Sequence, residues 1–213
     1  CPHRVENEAF FLSMAHDCNI PTTRWSIVKD RDDISGLVVR RFDRAVDATG
    51  NSRRIACEDG CQVLGRYPAD KYTLGTDELF AGVARECRAR PVALRALMQQ
   101  LAFAIITGNG DLHAKNVSVL QSETEWMLAP AYDLPSTVLY EDRSLALAIE
   151  STRSWQVSRK RFVALGEQLG LRPKATATML DDLVERVDPW LGRLDELPFD
   201  TNQIRRLRRH MSA

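Results

Sequence analysis

The chain has no excess of either charge: 29 lysines and arginines face 29 aspartates and glutamates over 213 residues. It therefore lacks the global field that draws a protein non-specifically onto nucleic acid or an anionic membrane, and any contact with a polyanion has to be local. Long apolar runs are also missing. No stretch approaches the roughly 18 residues needed to cross a bilayer, and charges interrupt the first part of the sequence, so no membrane or export segment is expected. Cysteine is scarce and poorly arranged for chemistry. Cys1, Cys18, Cys57, Cys61 and Cys87 are odd in number and scattered, and the closest pair is separated by more than the spacing of common zinc and redox motifs. They read as reduced thiols of a cytoplasmic protein, with Cys57 and Cys61 packed. There is no internal repeat, no low-complexity segment and no initiating methionine. Cys1 leads almost at once into an amphipathic pattern, so further residues are expected upstream.

With 44% apolar and 27% charged residues, the chain can bury a substantial core as one large or two small domains. Ala9, Phe10, Leu12 and Met14 predict a helix over 6–16. The β-type runs Trp25–Val28 and Leu37–Val39 predict a hairpin around Asp32–Gly36, and a short strand is expected near Ile55. The segment Glu58–Gly75, with Gly60, Gly65, Pro68 and Gly75, reads as a join between subdomains. Thr76, Asp77 and Glu78 predict a capped helix start, and Pro91 opens a long buried helix through Ile105. Two short strands, Val117–Leu120 and Trp126–Leu128, follow, then helices over 158–169, 174–191 and 201–210. The expected division is 1–75 and 76–213.

The informative segment is Gly108-Asn109-Gly110-Asp111-Leu112-His113-Ala114-Lys115-Asn116, with a second carboxylate in Pro130-Ala131-Tyr132-Asp133-Leu134. Aspartate, four residues and asparagine is the spacing of a kinase catalytic loop, in which the carboxylate accepts a hydroxyl proton and the amide oxygen binds magnesium. Asp133 supplies a second hard oxygen ligand. Mg²⁺ asks for few protein oxygens, because phosphate and water complete its shell. Asp111 and His113 also spell a D-x-H zinc pair, but no third ligand lies nearby and zinc needs at least three.

The runs GNGDLHAKNVSVL and LAPAYDL resemble the signature of the HipA family of toxin kinases. Arg41-Phe42-Asp43-Arg44, Glu58-Asp59-Gly60-Cys61-Gln62 and Asn7-Glu8 resemble further motifs of that family, in the same order, across residues 7–134. The resemblance implies an α+β, protein-kinase-like fold with a partial N-lobe of short antiparallel strands and a mainly α-helical C-terminal lobe. It implies ATP- and Mg²⁺-dependent phosphorylation of serine or threonine on a protein, with aminoacyl-tRNA synthetases among the family's targets, and a DNA-binding antitoxin partner of the HipB type. By position, Asp111 would be the catalytic base, Asn116 and Asp133 the magnesium ligands, and Arg40, Arg41 and Phe42 the hinge whose backbone holds adenine. His113, Lys115 and Tyr132 would line the nucleotide site. The family's phosphate loop and strand lysine precede its first helix, so neither falls within residues 1–213.

Two other functions are open. The run G-D-L-H-x-x-N also resembles the loop of aminoglycoside and choline phosphotransferases, although Lys115-Asn116-Val117-Ser118 and R-F-D-R favour the toxin kinases. A truncated kinase domain acting by binding is the non-enzymatic reading. Arg205, Arg206, Arg208 and Arg209 read as a solvated face, with any DNA contact indirect or minor.

Overall fold

A computed structural model describes residues 2–212, so the expectation for Cys1 lies outside the described residues. Helix α1 (Arg4–Asp17) buries Asn7, Phe10, Phe11 and Met14 on one face, and Phe10 meets Trp190 edge to face at 5.1 Å. Trp190 belongs to α6 (Pro173–Leu191), so α1 shares its core with the C-terminal helices as well as with Trp25 and Leu37 of the strands that follow it. That core is continuous. It runs through α3 (Thr76–Glu86), α4 (Arg90–Thr107), α5 (Arg159–Gln168) and α7 (Thr201–Met211). Gly75, not Thr76, precedes the first turn of α3, and the Thr76 hydroxyl is buried without a partner, so the expected side-chain cap is absent there.

The strands form three small antiparallel sheets. β1 (Trp25–Lys29) and β2 (Ser35–Val39) pair from Trp25 with Val39 to Lys29 with Ser35, the expected hairpin. Its turn is held by the Asp30 carboxylate, which accepts from the Asp32 and Ile34 backbone amides at 2.9 Å. β3 (Arg44–Val46) and β4 (Ser52–Arg54) form a second hairpin; the strand expected near Ile55 falls on β4 and β5 (Cys57–Asp59), with Ile55 itself between them, and β3, only three residues long, is absent from the sequence reading. Asp47 closes that turn by accepting from the Thr49 and Asn51 amides. β5 (Cys57–Asp59), β6 (Ser118–Ser122) and β7 (Glu125–Leu128) make the third sheet, with Asp59 opposite Ser118.

That pairing carries the loop between α4 and β6 to the start of α2 (Gly60–Val63). Asp59 caps α2 by accepting from the Gln62 amide at 3.1 Å, and Gln62 reciprocates to the Asp59 amide at 3.0 Å. The E-D-x-C-Q run is thus a capping box that fixes the direction of the chain beside the loop. Gly60 has to be glycine here, because a Cβ would lie 2.4 Å from Leu79 and 2.6 Å from the Ala114 carbonyl. Four described cysteines, Cys18, Cys57, Cys61 and Cys87, are free thiols. No helix among the described residues is long and apolar enough to cross a membrane.

Candidate active site

Helix α4 ends at Gly108, whose φ of 67° is the left-handed C-cap that glycine adopts without a Cβ penalty. The chain then turns sharply. The Asn109 side chain accepts from the Asp111 amide at 2.9 Å, and the Gly110 amide donates to Thr137 Oγ1 at 2.8 Å. These bonds hold Asp111 at the rim of a cavity of about 510 Å³, with its side chain 40% exposed. Asp133, Glu8, Tyr72, Thr137 and Ser144 line the same cavity.

Asn116 joins the two aspartates. Its Nδ2 donates to the Asp111 carbonyl at 2.9 Å and to Asp133 Oδ2 at 2.7 Å. Both amide hydrogens are spent, which leaves the amide oxygen available to a cation. Asp133 stands at φ 56°, a left-handed conformation that aspartate tolerates better than most residues. Burial pushes its carboxyl up, the Asp111 charge adds to this, and the Asn116 hydrogen bond works the other way. Glu8 is also pushed up, first by burial and then by Asp133. Three carboxylates, Asp111, Asp133 and Glu8, therefore share one cavity with Arg4 and Arg153, and Arg4 partly offsets the charge of Glu8 and Asp133. No cluster of three or more His, Cys, Asp or Glu with full metal-cage geometry occurs among the described residues.

The sign of the Glu8 shift makes a stability prediction. A carboxyl whose folded value lies above its unfolded one binds extra protons in the folded state, so stability falls as pH rises through the window above the ordinary carboxylate value. Glu8→Gln should raise the melting temperature at pH 7 by a few degrees, and the gain should fade as the pH approaches 4. A melting temperature equal to or below that of the parent at pH 7 would show that burial of the Glu8 charge costs nothing.

The other expected site residues occupy different surroundings. Phe42 packs against the Tyr132 ring with centroids 5.5 Å apart. Arg41 turns away from it onto Asp43, at 2.8 and 2.6 Å, and Arg44 reaches Asp43 at 2.5 Å. The Arg41 hydrogen bonds, chiefly, hold the Asp43 carboxyl down at about 2. The R-F-D-R run thus draws both arginines onto the one Asp43 carboxylate and leaves the phenyl ring against Tyr132. Arg40 has its amide on the Arg24 carbonyl at 2.8 Å and its carbonyl on Thr23 Oγ1 at 2.8 Å, so its backbone is the least suited of the three hinge residues to hold a base. The Tyr132 hydroxyl donates to the Lys115 carbonyl at 2.7 Å and lies 2.7 Å from Ser118 Oγ; burial pushes it up to about 12.

Lys115 and His113 are both engaged by groups of the protein itself. The Lys115 ammonium sits 2.5 Å from Asp59 Oδ2, tying the loop to the α2 capping box. His113 is 5% exposed, beneath Lys71 and Tyr72. Sequence reasoning missed Lys71, Tyr72 and Thr137, because nothing in their local spacing links them to Asp111. On α7, Arg206 pairs with Glu141 at 3.2 Å and Arg208 with Asp195 at 2.8 Å, which removes much of the basic patch.

Known proteins share this chain's sequence pattern and fold. The family described as HipA-like C-terminal domain matches residues 1–191. The serine/threonine-protein kinase toxin HipA of Shewanella oneidensis is 35% identical over 167 residues, covering 70% of this chain and 38% of the toxin. Among solved structures, HipA in a Shewanella oneidensis complex of HipA, HipB and operator DNA superposes with a TM-score of 0.83 at 24% identity, over 99% of this chain and 54% of that one. The Helicobacter pylori proinflammatory kinase CtkA shares the fold at a TM-score of 0.63 and 11% identity, over 99% of this chain and 82% of that one. The chain spans about half the length, or less, of the curated relatives it matches. The fold is the α+β, kinase-like one expected from the sequence, and the chain belongs to the HipA-like C-terminal domain family.

Proposed function

We propose that the protein containing this chain transfers the γ-phosphoryl group of ATP to a serine or threonine hydroxyl of a protein, as a toxin neutralised by a HipB-type DNA-binding antitoxin. The observation that carries this reading is the pair of Asp111 and Asp133 on one cavity, tied to each other through the buried Asn116 amide. Asp111 is exposed enough to meet an acceptor hydroxyl and take its proton as the oxygen attacks. Asn116 and Asp133 would hold magnesium, which when bound neutralises the charge of the β- and γ-phosphates. The Phe42 and Tyr132 rings give a planar base an apolar neighbour beside the hinge backbone of Arg41. The likeness to a serine/threonine kinase toxin supports a protein acceptor, and the solved complex with HipB and operator DNA supports the antitoxin partnership. An aminoacyl-tRNA synthetase is one acceptor to try.

The test is transfer of labelled γ-phosphate by the full-length protein, with Mg²⁺, to bacterial protein extract and in parallel to choline and an aminoglycoside. Label on serine or threonine of protein, abolished by EDTA, is the expected result. Label on the small molecules alone would move the protein to the other phosphotransferase class, and no transfer at all would leave only a binding role.

A further inference from the structure

The short 3₁₀ turn Pro68–Tyr72 lies against the loop that carries Asp111, although about forty residues separate them in sequence. The Tyr72 hydroxyl donates to Asp111 Oδ1 at 3.0 Å. Its ring meets His113 edge to face at 5.1 Å, and the Lys71 ammonium stands 4.7 Å from the ring centroid and 2.9 Å from His113 Nε2. An ammonium can only donate, so Nε2 must accept, and the His113 proton is on Nδ1. Burial, with Lys71 assisting, favours this neutral ring. His113 Nε2 is also 3.7 Å from Asp111 Oδ1, too far for a hydrogen bond. His113 therefore supports Tyr72 and Lys71 but does not itself hold the carboxylate. The Arg153 guanidinium donates to the Tyr72 carbonyl and pins the turn from the other side.

A half-exposed carboxylate is otherwise free to turn about its Cβ–Cγ bond. A phenol fixed at one oxygen removes that freedom and leaves the second oxygen directed at an incoming hydroxyl. We propose that Tyr72, seated by Lys71 and His113, is the positioning residue for Asp111, anchoring Oδ1 so that Oδ2 receives the acceptor proton. This rests on the kinase reading above. It adds a requirement that the D-x₄-N loop does not contain: a tyrosine delivered from the connector between the strands and α3.

Tyr72→Phe keeps the ring on His113 and removes only the hydroxyl. In the full-length protein, assayed with Mg-ATP and the acceptor found by the transfer assay, it should lower kcat about ten- to a hundredfold, the scale set by misplacing a reacting group. The KM for ATP should stay within about twofold, since Tyr72 touches the base rather than the hinge, and the melting temperature should be unchanged. Lys71→Met should lower kcat in the same direction by a smaller factor. A Tyr72→Phe protein with parental or higher kcat would overturn the positioning role and mark the tyrosine as a competitor for the acceptor's place, while the kinase reading would stand on the loss of activity in Asp111→Asn. A fall in kcat matched by an equal rise in KM would reduce Tyr72 to a general support of the cavity and also overturn the proposal. Parental protein without transfer would remove the kinase reading and this inference together.

Discussion

Asp111→Asn in the full-length protein should lower the rate of phosphoryl transfer about a thousandfold, within the range that a positioned general base contributes. The substitution is nearly isosteric. The Asn109 side chain would still accept from the backbone amide of residue 111, and Tyr72 could still donate to an amide oxygen in place of Oδ1. The fold and the affinity for Mg-ATP should therefore survive, so the loss should appear in kcat, not in KM. Melting temperature and nucleotide binding measured on the same preparation separate a lost base from a damaged site. Turnover within a few-fold of the parent would mean that another group accepts the proton, and the role proposed for Asp111 would fall.

Asn7→Ala should be the most destabilising single change outside the hydrophobic core. Asn7 is fully buried on α1, and its side chain bonds both backbone groups of Ser136: Nδ2 donates to the carbonyl and Oδ1 accepts from the amide, each at 3.0 Å. It also donates to the Tyr140 hydroxyl at 3.1 Å. Truncation would leave the Ser136 amide and carbonyl buried and unpaired, at about 1–3 kcal/mol each. A total near 3 kcal/mol corresponds to a fall of about 6–12 °C in melting temperature for a domain of this size. Ser13→Ala is the control, because that hydroxyl only bonds the Ala9 carbonyl one turn back in the same helix. If Asn7→Ala and Ser13→Ala melted within a degree or two of each other, the clamp between α1 and the segment after Asp133 would contribute little.

The clamp also shows why Asn7-Glu8 carried information. The asparagine fastens α1 to the chain three residues beyond Asp133, and this brings Glu8 into the cavity beside that aspartate. Its neighbour in sequence thus reaches the site only because the helix is docked by a contact across 129 positions.

Local features were legible for a physical reason. Helical spacing and the four-residue interval between Asp111 and Asn116 depend on backbone geometry within a few residues, whereas the Asp59 and Gln62 capping box and the left-handed Gly108 emerged only in the structure. The β1–β2 hairpin was legible from its β-type runs on either side of the turn at Asp32–Gly36. Local pattern put a strand near Ile55, next to β4, but could not find its partner β3 or their pairing, which is set by the Asp47 turn rather than by a buried face. By itself, then, the sequence determined the family, the kinase-like class and which short runs carry polar chemistry. Only the tertiary structure decided that Lys115 serves Asp59, that His113 is roofed by Lys71, and that the Tyr72 hydroxyl reaches Asp111. Those contacts join elements 39 to 56 residues apart, and their existence depends on how sheets and helices dock, which no local spacing encodes.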